Sequence, residues 1–202
     1  MMKRRYIAIL VVVLILLDQL LKIWIKTNMT IGESIMVFEP WFQLRFVENN
    51  GAAFGMHIAS SGGVDWGKII LSCFRVCMVV AILFYINNLI VKKAPKGVII
   101  ALVLVVAGAL GNIIDSAFYG LIFAESTSMT VGGFGGSYAP FMMGRVVDMF
   151  YFPLFQWNNV PSFLSFLVDY NNYFFGAIFN LADTYISIAV VYILLFQRKF
   201  FA

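Results

Sequence analysis

The sequence predicts an α-helical integral membrane protein with four transmembrane helices, and three observations carry that prediction. Of 202 residues, 62% are hydrophobic and 12% charged, against roughly 45–50% and 25% in soluble domains. Four apolar runs, at about 6–25, 69–91, 98–118 and 173–196, are each long enough as helices to cross a hydrocarbon core of about 30 Å. The basic residues sit beside those runs, so the net charge of +4 does not point to nucleic acid. No composition break marks off a separate soluble domain, and residues 1–202 read as one membrane-embedded unit.

The first run follows Lys3, Arg4 and Arg5 and begins like a signal peptide. No small-x-small cleavage site comes after it. Instead the chain continues Asp18-Gln19-Leu20-Leu21-Lys22, so 6–25 reads as an uncleaved first helix. Asp18 and Lys22 are four apart with the acid first, the order that favours pairing within a helix. The pair either makes a helix end tolerable or braces a nearby site.

Residues 27–67 leave the membrane. Trp41 to Val47 alternates, with Phe42, Leu44 and Phe46 on one face, which is a strand signal. Asn49-Asn50-Gly51 reads as a turn, and His57, the only histidine, as a loop residue. The second helix, 69–91, is interrupted by Arg75 and carries Cys73 and Cys77, whose spacing fits packing on one helix face rather than metal or redox chemistry. One histidine without a cysteine cluster makes a His/Cys metal site improbable, and no metal or other cofactor is expected.

A short basic turn, Lys92 to Gly97, leads to the third helix, 98–118, where Gly108 and Gly111 permit close helix approach. The second external segment, 120–172, contains a flexible glycine-rich stretch, Gly132 to Gly136, that lacks the phosphate-loop pattern. Arg145 to Phe152 reads as a strand ended by Pro153. Phe163 to Val168 suits a segment lying on the membrane surface.

Chemistry concentrates in two repeats of one spacing. Asn180 and Asp183 fall in the last apolar run, and Asn112 and Asp115 near the end of the third. Residues three apart share a helix face, so the two pairs can build one polar pocket. An intramembrane carboxylate disfavours insertion by about 2.5–3.5 kcal/mol at a helix centre and reads as functional by default. The lysines and arginines of the two ends and the basic turn place those parts in the cytoplasm by the positive-inside rule. The long segments, with Asp148 and the Asp115 and Asp183 helix ends, then lie outside. Asp115, Asp148 and Asp183 could converge there. A carboxyl pair sharing a proton could hydrolyse a peptide without a metal. Buried acids could equally relay protons or bind a cation in a transporter, and polar helix contacts could be purely structural.

Five stretches taken in order resemble one family: Asp18-Gln19-Leu20-Leu21-Lys22, Asn49-Asn50-Gly51-Ala52-Ala53-Phe54, Ala107 to Asp115, Gly144-Arg145-Val146-Val147-Asp148 and Phe179-Asn180-Leu181-Ala182-Asp183. Together they look like the lipoprotein signal peptidases (signal peptidase II). The resemblance implies a bacterial inner-membrane aspartic endopeptidase with four transmembrane helices, a small extracytoplasmic β cradle and an interfacial helix. Its implied substrate is a prolipoprotein with a diacylglyceryl-modified cysteine, cut just before that cysteine in contact with membrane lipid, and its implied inhibitor is the cyclic peptide globomycin. The family's catalytic pair maps onto Asp148 and Asp183. Asp18, Lys22, Asn49, Asn112, Asp115 and Asn180 map onto its supporting polar residues. Two departures stand out. Ser116 occupies the position after Asp115 where the family usually has arginine, and the stretch from Asp115 to Val146 is longer than usual. Arg145, three residues before Asp148, either replaces that missing charge or is a solvated loop arginine.

Overall fold

A computed structural model describes residues 3–50, 60–61, 64–169, 171–197 and 200. His57 and the stretch from Gly51 to Phe54 lie outside the described residues. Three helices have the length and hydropathy to cross a membrane: α1 (Arg4–Asn28), α2 (Trp66–Val91) and α3 (Lys96–Ile114), the last prolonged by a π-helical turn (Asp115–Tyr119) and the short α4 (Gly120–Ile122). A shorter apolar helix, α5 (Leu181–Tyr192), continues into a second π turn (Ile193–Gln197). The chain is a multi-pass membrane protein of mostly helical architecture.

Why α3 sits at the centre follows from its sequence. It is apolar on every face, and 56% of its most apolar window is buried, against 17% for α1 and for α2. Such a helix can be satisfied only by neighbours around it. Its residues Val98, Val103 and Val106 pack with Ile7 of α1 and with Val79, Ile86 and Leu89 of α2. Against α5 the small residues decide the separation. A side-chain carbon on Gly108 would collide with the Ala182 carbonyl, and one on Gly111 would lie 2.6 Å from an Asp18 carboxylate oxygen. The glycines therefore let α1, α3 and α5 meet with backbones nearly touching.

The segments between the helices form a sheet ordered β1-β2-β5-β6, with antiparallel neighbours: β1 (Ser34–Phe38), β2 (Phe42–Asn49), β5 (Val146–Tyr151) and β6 (Ile178–Phe179). A short hairpin of β3 (Ser60–Ser61) and β4 (Val64–Asp65) precedes α2. In the main sheet Val47 pairs with Asp148 and Asn49 with Val146, which brings Asn49 beside Asp148. Phe46, Val147 and Met149 are buried with Ile25, Met29 and Phe123, locking the sheet onto the C-terminal end of α1 and the segment that follows α3. Phe152 stacks on Phe42 and on Phe179, and Phe150 meets the same two rings tilted or edge-on. Ser162–Leu167 forms a 3₁₀ turn with Phe163 exposed, in the place of the expected surface segment.

Three expectations need correction. The last helix starts at Leu181, not near 173, because Ile178 and Phe179 pair with Tyr151 and Phe150 and Asn180 then caps the helix. Cys73 and Cys77 are exposed on α2 rather than packed. The glycine-rich stretch is not loose: Gly132 donates to the Lys26 carbonyl at 3.2 Å, Ala124 to the Gly133 carbonyl at 2.8 Å and Gly135 to the Ile122 carbonyl at 3.0 Å. Gly136 lies so close to Ala124 that no side chain would fit. Gly132 and Gly136 supply close approach and Gly135 a positive φ of 88°, rather than flexibility.

Candidate active site

The N-terminus of α5 is held by a reciprocal capping box. The Asn180 side chain accepts from the Asp183 backbone N–H at 2.9 Å, and the Asp183 carboxylate accepts from the Asn180 backbone N–H at 3.4 Å. Such a box satisfies two otherwise orphaned donors. It also directs the Asn180 amide outward, where its Nδ2 donates to Asp148 Oδ1 at 2.7 Å and to Asn112 Oδ1 at 3.2 Å. One side chain thus ties the β-sheet acid to the backbone of the residue that carries the helix acid.

The remaining partners fall into place around it. Asn49 Nδ2 donates to the second oxygen of Asp148 at 3.2 Å, and Asn112 Nδ2 donates to Asp183 Oδ1 at 2.9 Å. Beneath them Lys22 Nζ reaches Asp18 at 3.0 Å, Asp115 at 2.8 Å and Asn112 Oδ1 at 2.8 Å. An ammonium has three donors, and all are used. Lys22 and both carboxylates are 0% exposed. Asp18 also accepts from the Ala182 backbone N–H at 2.9 Å, which ties α1 to the first turn of α5. Asp115 takes a backbone N–H from Val147 at 3.4 Å, which ties α3 to β5. The Asp18–Lys22 pair therefore does not stand alone at a helix end but bonds Asn112, Asp115 and the first turn of α5.

Asp148 is buried and Asp183 only partly so. Burial first, and then the neighbouring Asp183 charge, push Asp148 up to about 7, against the pull of Asn49, Asn180 and Lys22. A carboxyl group that binds a proton near neutrality can serve as either general acid or general base. Among the described residues, no group of three or more His, Cys, Asp and Glu side chains is placed to hold a metal ion.

The structure brings Asp18, Lys22, Asn49, Asn112, Asp115, Asp148, Asn180 and Asp183 into one network. Arg145 belongs elsewhere. Its guanidinium donates to Glu48 at 3.2 Å and Glu125 at 3.0 Å, and lies over the Tyr138 ring, 5.3 Å from its centroid. It is neither a partner of Asp148 nor a solvated loop arginine. Ser116 turns its hydroxyl back onto the Asn112 carbonyl at 3.0 Å. Sequence reasoning missed Gln19, which donates to Asp115 at 2.9 Å and accepts from the Tyr119 hydroxyl at 3.1 Å. A polar amide inside an apolar run was the available signal. It also missed a second buried cluster in which Glu48 accepts from Lys26, Ser126 and Arg145.

Comparison with known proteins points one way. A family model described as Signal peptidase (SPase) II matches residues 10–199. A lipoprotein signal peptidase of Porphyromonas gingivalis is 42% identical over 193 residues, covering 94% of this chain and 81% of that protein. One from Amoebophilus asiaticus is 32% identical, covering 95% of this chain and 76% of its own length. A bacterial membrane enzyme solved by the in meso method at 2.3 Å resolution superposes with a TM-score of 0.57 and 25% identity, over 96% of this chain and 88% of that one.

Proposed function

The chain belongs to the signal peptidase II family, and we propose that it is an aspartic endopeptidase that removes signal peptides from diacylglyceryl-modified prolipoproteins, cutting just before the lipidated cysteine. The observation that carries this reading is the Asn180 bridge, which bonds Asp148 at 2.7 Å while its cap fixes Asp183. Two carboxyl groups held in one site share a proton, because both cannot ionise cheaply. The ionised member takes a proton from water, and the oxygen attacks the scissile carbonyl carbon. The protonated member stabilises the developing oxyanion. As the C–N bond breaks, a proton passes to the departing nitrogen. The acids supply both base and acid, and no covalent intermediate is needed.

Asn49, Asn112 and Asn180 orient the acids, while Asp18, Lys22 and Asp115 brace the helices that carry them. The charge pattern supports a place in the bacterial inner membrane with both termini cytoplasmic and the site towards the extracytoplasmic face. There it meets membrane lipid and the lipidated substrate. A globomycin-type cyclic peptide would compete by occupying the dyad. The test is incubation of the purified protein with a diacylglyceryl prolipoprotein, with product masses read with and without a chelator. Release of the intact signal peptide and a fragment beginning at the lipidated cysteine, unchanged by chelation, is the expected result. Ion flux in liposomes without cleavage would favour transport instead.

A further inference from the structure

Two buried lysines stand one turn apart on α1, and each leads to a different acid of the pair. Lys22 and Lys26 are four apart on one helix face, about 6 Å along the axis, and both are 0% exposed. From Lys22 the bonds run to Asn112 Oδ1 at 2.8 Å, and from Asn112 Nδ2 to Asp183 at 2.9 Å. From Lys26 they run to the buried Glu48 carboxylate, and the next residue of β2, Asn49, donates to Asp148 at 3.2 Å. Successive side chains of a strand take opposite faces. Glu48 therefore reaches back to α1 while Asn49 faces the acid on β5.

The segment between α4 and β5 closes over the Lys26–Glu48 pair. Lys26 Nζ donates to the Ser126 hydroxyl at 2.9 Å, and that hydroxyl donates to Glu48 at 3.3 Å. The ammonium also lies 5.5 Å from the Phe123 ring centroid and 4.9 Å from that of Tyr138, within cation–π reach. A side-chain carbon on Gly132 would come within 2.8 Å of the ammonium. Burying two charges costs about as much as their attraction returns, so a pair of this kind is weak evidence for stability. What it supplies is a fixed point. We infer that Lys26 and Glu48 are positioning residues, and that α1 is a ruler whose two lysines set the separation of the acids. Lys26 holds Asp148 through Glu48 and Asn49, and Lys22 holds Asp183 through Asn112. Arg145, partly exposed, is an outer arm of Glu48 and no part of the ruler. The inference rests on the peptidase reading and adds to it the residues that space the dyad.

The test measures kcat and KM for prolipoprotein cleavage by Glu48→Gln and by the double variant Lys26→Met/Glu48→Leu, each alone and combined with Asn49→Ala. Glu48→Gln keeps the shape and removes the charge. The double variant replaces the whole pair by apolar groups of similar size, so misfolding of either leaves the other to decide. A misplacement of about 1 Å at a reacting group costs up to about a hundredfold in rate. Both variants should therefore lose about ten- to a hundredfold in kcat with KM unchanged. In the Asn49→Ala protein, where the link to Asp148 is already cut, the same replacements should cost little more, because residues that act through one another are not additive. Wild-type kcat in a folded variant would overturn the inference. So would a loss confined to KM, or a loss of full size that persists beside Asn49→Ala. Failure of both variants to fold would make the pair structural and overturn it too. An inactive wild-type protein would instead count against the peptidase reading itself.

Discussion

Replacing Lys22 by methionine keeps the aliphatic stem and removes the charge from the centre of the brace. The structure sets the magnitude. One ammonium serves Asp18 at 3.0 Å and Asp115 at 2.8 Å, and all three groups are fully buried. Removing one partner of a buried ion pair costs about 3–5 kcal/mol, because the remaining charge is left uncompensated. Here two carboxylates are stranded, but neither is bare: Asp18 keeps the Ala182 N–H, and Asp115 keeps Gln19 and the Val147 N–H. We therefore expect a loss of about 3–4 kcal/mol, which shifts the unfolding equilibrium about 150- to 900-fold. The assay is reversible unfolding in detergent micelles by rising denaturing-detergent fraction, run as a cycle with Asp115→Asn and the double variant. Deleting both partners should cost less than the sum of the single losses, with a coupling of at least about 1 kcal/mol. A Lys22→Met loss below about 1 kcal/mol, or simple additivity with Asp115→Asn, would refute the brace.

Three further outcomes follow from the same geometry. Gly108→Ala forces a methyl group into the Ala182 carbonyl, so it should lower stability by about 1–3 kcal/mol and reduce cleavage, because Ala182 adjoins Asp183; a melting curve and rate equal to wild type would remove the close-approach argument. Arg145→Ala removes a partly exposed guanidinium and its two ion pairs, to exposed Glu125 and to a Glu48 that retains Lys26 and Ser126, so stability should fall by about 1 kcal/mol and the cleavage rate should hold; a tenfold rate loss would restore a role at the dyad. Asp148 binds its proton more tightly folded, at about 7, than at the ordinary 3.8. Between those two values the folded state holds more protons than the unfolded one, so this group's contribution to stability falls as pH rises through the window. Asp148→Asn should flatten that decline, and an unchanged stability–pH slope in micelles would contradict the burial assigned to it.

Much of this organisation was legible in the residues. Runs that are apolar on every face announce membrane helices, and polar pairs three apart inside such runs announce a shared pocket, which is how Asn112, Asp115, Asn180 and Asp183 stood out. What stayed hidden was decided by partners distant in sequence. Residues 173–179 are as apolar and aromatic as the helix that follows, and it is the pairing of Ile178 and Phe179 with β5 that holds the helix start back to Leu181. Proximity in sequence drew Arg145 towards Asp148, but strand β5 turns the two apart and Glu48 and Glu125 capture the guanidinium. Glycine density in 132–136 signals freedom in a chain read locally, whereas packing against Ala124 fixes it. Gln19 donates to its neighbour Asp18 at 3.2 Å, but its shorter bond, 2.9 Å, runs to Asp115 across the α1–α3 interface, a register that no single-helix pattern encodes.

The central claim is that Asp148 and Asp183 together carry out the chemistry. Single-turnover cleavage of a diacylglyceryl prolipoprotein by Asp148→Asn and Asp183→Asn tests it most directly, with melting and substrate binding measured alongside. Both substitutions are nearly isosteric and leave the backbone N–H of residue 183 to its cap, so both variants should fold and bind while cleaving slower by orders of magnitude. Cleavage within a few-fold of wild type by either folded variant would contradict the dyad, and a deeper loss from Asp115→Asn would mean that another pair of acids does the work.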